Sequence, residues 1–95
     1  MWVVSYDISS DRLRSQIAKT LEGYGQRIQY SVFECRINHK KYEELYNKLR
    51  KMMTDAEEEG NIRFYYICGN CEEKIHTIGR IPIELKKLME NVIVV

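Results

Sequence analysis

An aspartate stands near the end of a run built for burial, Val3-Val4-Ser5-Tyr6-Asp7-Ile8, followed at once by Ser9-Ser10-Asp11-Arg12-Leu13-Arg14. β-Branched and aromatic residues in such a run read as a strand. A carboxylate at the C-terminal end of that strand is costly to desolvate unless a cation, a metal ion or hydrogen-bond donors meet it. Strand ends that face a following helix are where α/β and α+β folds commonly keep their ligands. Asp7 therefore offers an oxygen ligand for a metal, and Arg12 and Arg14 offer two guanidinium forks for phosphate. These types in this order point to metal-assisted work on a phosphodiester. The structural alternative is that Asp7 only accepts backbone N–H bonds at the strand–helix turn, and the residues alone leave the two readings open.

The elements that must position these groups follow from periodicity. Residues 2–8 form the first strand. A helix follows from a cap at Ser9 or Ser10 to about Tyr24, with Leu13, Ile17, Ala18 and Leu21 on one stripe. Gly23 and Gly25 are expected to end it as residues tolerant of the left-handed region. Residues 26–37 are strand-like throughout and long enough for a hairpin bending near Tyr30-Ser31. A second helix starts at an Asn38 cap, carries Tyr42, Leu45, Leu49, Met52 and Ala56 on one face, and stops at Gly60. In 61–68, Ile62, Phe64 and Tyr66 alternate with Arg63, Tyr65 and Ile67, the pattern of a strand with two unlike faces. A turn is expected at Gly69-Asn70, a further strand over 74–78, an arm after Pro82, and a terminal run of β-formers, Val92 to Val95.

Strand, helix, strand pair, helix, strand is the order of an α+β, ferredoxin-like βαββαβ sandwich, here with an additional C-terminal strand or arm. The 95 residues make one domain, with 1–78 as the core and 79–95 as the arm and exchanged strand. An apolar terminal run left in water invites aggregation. A domain this small gains from shared area, so the run is expected to pair with the sheet of a second copy in a homodimer.

Composition bounds the function classes. With 44% apolar and 31% charged residues the chain is an ordinary folded domain, and no apolar run approaches a membrane span. The chain opens into a strand without a signal-like leader, and three cysteines is an odd number, so a cytoplasmic protein with reduced thiols is expected. The net charge of +1 does not announce a nucleic-acid binder. Residues 1–50 nonetheless hold nine Lys or Arg against six acids, and 51–95 hold six against eight, a mild basic bias beside Asp7.

Other constellations carry less. Cys68-Gly-Asn-Cys71 is half of a zinc site that His76 or Cys35 would have to complete, and no second pair exists. The same pair precedes no long helix of the kind redox-active cysteines use. His39, His76 and Lys40 could run metal-free acid–base cleavage only if they converged. Tyr24, Tyr30, Tyr65 and Tyr66 could stack on bases, though tyrosines also wall thin cores. Asp55, Glu57, Glu58 and Glu59 read as a solvated helix end.

Three segments together have a likeness: Tyr6-Asp7-Ile8 ending the first strand, Asp11-Arg12-Leu13-Arg14 opening the first helix, and Gly25-Gln-Arg-Ile-Gln-Tyr-Ser-Val-Phe-Glu-Cys35. They resemble the CRISPR-associated endoribonuclease family, the smaller core spacer-acquisition protein (Cas two), over nearly the whole chain. The resemblance implies a homodimer with the two Asp7 carboxylates facing each other across the two-fold axis and holding Mg²⁺, or alternatively Mn²⁺. It implies catalytic roles for Asp7 and Tyr6, and nucleic-acid contacts for Arg14, Arg27 and Phe33. Where the family pattern often has a second basic residue after Arg14, this chain has Gln16, and Arg12 is the expected substitute. The implied function is metal-dependent cleavage of RNA or double-stranded DNA, in complex with the larger core integrase. One alternative is a non-catalytic subunit that bridges the integrase and binds DNA. A sensor or toxin-like ribonuclease on the same fold is a further one.

Overall fold

Side-chain alternation along the first strand divides the molecule into two unlike faces. A computed structural model of the chain describes residues 1–79. In it β1 (Trp2–Ile8), α1 (Asp11–Glu22), β2 (Gln26–Gln29), β3 (Val32–Cys35), α2 (His39–Ala56), β4 (Gly60–Tyr66) and a short α3 (Gly69–Glu72) follow in order. The sheet order is β2-β3-β1-β4 and each neighbouring pair is antiparallel. Each helical crossover skips one strand position, which the other unit fills, so the expected ferredoxin-like βαββαβ core is present.

Val4, Tyr6 and Ile8 of β1 join Phe33 and Cys35 of β3 in one buried cluster with Leu13, Ile17, Ala18 and Leu21 of α1 and Leu45 and Leu49 of α2. Each large apolar side chain so buried contributes about 1.5–3 kcal/mol. The opposite phase of the same strands carries Val3, Ser5, Asp7, Val32, Glu34, Asn61, Arg63 and Tyr65 on the face that α1 and α2 do not cover.

Both long helices start as their caps dictate. Ser10 Oγ accepts the Leu13 N–H at 3.2 Å, and Asn38 Oδ1 accepts the Lys41 N–H at 2.9 Å. Their ends differ from expectation. Gly23 closes α1 in right-handed geometry (φ −76°), its N–H turned back to Leu21 and Thr20. Gly25 is required for a different reason. A Cβ there would meet the Glu34 carbonyl oxygen and lie 2.6 Å from Cys35 Sγ, so β2 enters the sheet only over a bare α-carbon. The left-handed cap of α2 is Glu57 (φ 51°) rather than Gly60. Gly60 instead opens β4 at φ 148°, where a Cβ would lie 2.9 Å from the Asp7 carbonyl oxygen.

Residues 74–78 are not a strand. They leave the sheet after α3, and no described strand offers them a ladder. The arm after Pro82 and the run Val92 to Val95 lie outside the described residues.

Candidate functional site

Asp7 is the penultimate residue of β1 and pairs with Asn61 of β4. Its carboxylate is exposed on the uncovered sheet face, and no described side chain or backbone N–H bonds to it. The helix start that it could have capped is satisfied by Ser10 instead. That outcome separates the two readings left open by the sequence: Asp7 is not a turn-capping group. One rung earlier on the same face, Ser5 sits between Val32 of β3 and Arg63 of β4.

Arg14 belongs to the edge of this site but reaches it from the helix side. Its Nη1 donates to the Ile8 carbonyl oxygen at 3.0 Å, its Nη2 pairs with Asp11, and its guanidinium lies 5.9 Å from the Tyr30 ring centroid. The bond to Asp11 raises the Arg14 pKa above its ordinary value, on a guanidinium that is always charged. The clamp fixes a guanidinium at the carboxyl end of β1, where a phosphate could share it. Arg12, two residues earlier in the helix, is exposed and has no ion pair among the described residues.

Three expected site residues are placed elsewhere. Tyr6, only 3% exposed, faces the helices and donates its hydroxyl to the Tyr30 carbonyl oxygen at 3.3 Å. A catalytic role beside Asp7 does not fit, because consecutive strand residues face opposite ways. Phe33 is fully buried, so its ring cannot stack on a base. Arg27 lies opposite Phe33 in the ladder with its guanidinium 5.3 Å from that ring, and its buried Nε has no partner. Phe33 thus supports Arg27 from inside the core. The alternation that separates Tyr6 from Asp7 was available in the sequence. In the sequence Arg63 and Asn61 read only as part of an amphipathic strand, and only the β1–β4 register puts them beside Asp7.

The remaining constellations do not assemble. Cys68 and Cys71 are exposed free thiols at the start of α3, and Cys35 is buried in the core. No three His, Cys, Asp or Glu residues converge among the described residues. His39 pairs with Glu43 on α2 at 3.0 Å, and His76 is exposed beyond α3. Asp55 and Glu57 to Glu59 are all exposed. Of the four tyrosines, Tyr30, Tyr65 and Tyr66 are exposed, whereas Tyr24 is half-buried with its hydroxyl accepting from Lys48 at 2.8 Å. No described helix is long and apolar enough to cross a membrane.

Comparison with known proteins places the chain's sequence and fold in one family. The family model described as CRISPR associated protein Cas2 matches residues 1–75. The CRISPR-associated endoribonuclease Cas2 1 of Chloroflexus aurantiacus is 47% identical over 81 residues, 85% of this chain and 86% of that protein. The CRISPR-associated endoribonuclease Cas2 3 of a Synechocystis species is 43% identical over 83 residues, 87% of this chain and 88% of that protein. Among solved structures, a chain of a partial Cas6-RT-Cas1–Cas2 complex superposes with a TM-score of 0.73 at 31% identity, over 86% of this chain and 93% of that one.

Proposed function

The chain belongs to the CRISPR-associated Cas2 family, and from that membership we propose that it is an endonuclease of spacer acquisition. It hydrolyses phosphodiester bonds of RNA or double-stranded DNA with Mg²⁺ or Mn²⁺, in the cytoplasm, as a homodimer joined to the larger core integrase. The observation that carries this reading is Asp7, a carboxylate exposed on an uncovered sheet face with no bonding partner among the described residues.

One chain supplies one carboxylate. Mg²⁺ is commonly held by one or two carboxylates together with phosphate oxygens. Asp7 of two copies brought face to face would therefore be a sufficient protein contribution, and it fits the uncovered face. When bound, such an ion supplies Lewis-acid stabilisation of the phosphoryl group and eases deprotonation of the attacking water. Asp7 holds the charge that recruits the ion, while Arg14 and Arg12 hold the flanking phosphates at the strand's carboxyl end. Tyr6 and Phe33 act from the core, the first by fixing the Tyr30 backbone and the second by carrying Arg27.

The test is incubation of labelled RNA and labelled duplex DNA with wild type and Asp7→Asn, with and without Mg²⁺. Cleavage by wild type only, and only with metal, supports the proposal. Likeness to a chain of a complex that contains Cas1 favours one second reading, a bridging subunit that binds DNA without cutting it. Binding of duplex DNA by wild type without cleavage under any metal would select that reading.

A further inference from the structure

We infer that Arg63 is the cation that grips the phosphate handled at Asp7, a deepening that rests on the function proposed above. The β1–β4 register pairs Asp7 with Asn61 and Ser5 with Arg63. All four residues share the uncovered face. Asp7 and Arg63 are therefore diagonal neighbours, about 7–8 Å apart at the backbone and within reach of a long side chain. Arg63 is the one Lys or Arg of the described strands on that face, since Arg27 lies in the opposite phase, opposite buried Phe33.

The other arginines near the sheet have commitments that Arg63 lacks. Arg14 is clamped by the Ile8 carbonyl and Asp11, Arg27 lies against Phe33, and Arg36 pairs with Glu72. Arg63 is exposed, and its one described polar contact is a 3.4 Å bond from Nη1 to the Tyr65 hydroxyl, two residues on along the same face. That bond holds one N–H of the guanidinium at Tyr65, on the side of Arg63 away from Asn61, and leaves its other N–H groups without a partner among the described residues. No ion pair joins Arg63 to Asp7. The interval between a carboxylate and a guanidinium with N–H groups to spare is the kind of space a phosphodiester fills, one non-bridging oxygen turned to the metal side and another to the guanidinium. In the transition state the guanidinium faces the oxygens on which charge accumulates. Asn61, opposite Asp7, adds an uncharged amide donor at the same rung.

The experiment uses the full-length protein as wild type, Arg63→Gln, Arg63→Lys and Asp7→Asn, with labelled RNA and duplex DNA, read by salt-dependent binding, Mg²⁺-dependent cleavage and sedimentation. Arg63→Gln should flatten the log K against log salt slope by about one unit. It should slow cleavage about 100-fold and leave the oligomeric state unchanged, with Arg63→Lys recovering the slope and part of the rate. An unchanged slope overturns the inference, as does a dimer lost with Arg63→Gln, which would make Arg63 an interface ion-pairing residue. If Arg63→Gln cleaves like wild type while Asp7→Asn does not, the inference fails and the function stands. If Asp7→Asn cleaves like wild type, the proposed function fails, and the binding slope still judges Arg63.

Discussion

Tyr6 and Asp7 are neighbours in the chain and point to opposite sides of the sheet, Tyr6 into the helix-covered core and Asp7 into the open. Two substitutions one residue apart should therefore fail in different ways. Tyr6→Phe removes a buried hydroxyl bonded to the Tyr30 carbonyl, a loss of about 1 kcal/mol. That should lower the melting temperature by roughly 4–8 °C for a domain of this size and leave cleavage per folded molecule within twofold of wild type. Asp7→Asn should melt like wild type, since no described internal bond depends on its charge, and lose metal-dependent cleavage. Calorimetry and a cleavage time course on the same preparations check both. Equal melting with lost cleavage in Tyr6→Phe would return Tyr6 to the active site.

Gly25 and Cys35 are packed so closely that the side-chain-free residue is obligatory. The missing Cβ would overlap the Glu34 carbonyl oxygen and crowd Cys35, and backbone cannot yield as a flexible side-chain tip does. Gly25→Ala is expected to cost about 1–3 kcal/mol, measured as a fall in the urea midpoint with an unchanged m-value. A midpoint equal to wild type would mean that β2 can shift away from β3.

That position also marks where the sequence stopped being informative. Gly25 was legible as a helix terminator, and its contact with Cys35 is ten residues away and across a strand pair. The same division holds elsewhere. β1, the caps at Ser10 and Asn38, the helix faces and the bend at Tyr30-Ser31 all follow from patterns within one or two turns of chain. Residues 74–78 have the β-like composition Lys-Ile-His-Thr-Ile, yet a strand exists only if a neighbour accepts its ladder. For the site, Asp7 and Arg14 were visible because their types and spacing are local. Arg63 was not, because its nearness to Asp7 is a property of the register between β1 and β4, fixed where Gly60 lets β4 begin against the Asp7 backbone.

The three thiols should separate cleanly in reactivity. The Cys71 backbone N–H and then its thiol face Cys68 and draw its pKa down, while that shared proton draws the Cys71 pKa up. Burial pushes Cys35 up to about 11. Since the thiolate is the nucleophile, iodoacetamide near neutral pH should label Cys68 first, Cys71 later and Cys35 only after denaturation, as read by peptide mass spectrometry. The raised Cys35 value also carries a pH dependence. Its contribution to stability is complete below the ordinary thiol range near pH 9 and is lost as pH rises towards about 11. Over that window, stability should decline less steeply in Cys35→Ala than in wild type. Early labelling of native Cys35 would contradict its burial.

Arg12 and Arg14 should divide along the line between binding and folding. Arg12 is exposed and has no ion pair among the described residues, so Arg12→Ala is expected to change only what the protein touches. Nucleic-acid affinity should fall and its salt slope flatten by about one unit if Arg12 meets one phosphate, with no change in melting temperature. Arg14 ties the start of α1 to the last carbonyl of β1 and to Asp11, so Arg14→Ala removes a staple between helix and sheet together with the proposed phosphate contact. Solvent screens the exposed pair with Asp11, so a modest fall in the urea midpoint is expected alongside the flatter slope. Arg14→Lys should keep most of the slope and little of the stability, because an ammonium carries the charge without the fork that reaches the Ile8 carbonyl and Asp11 together. If Arg14→Lys is as stable as wild type, the geometry of the fork is unimportant and Arg14 acts by charge alone.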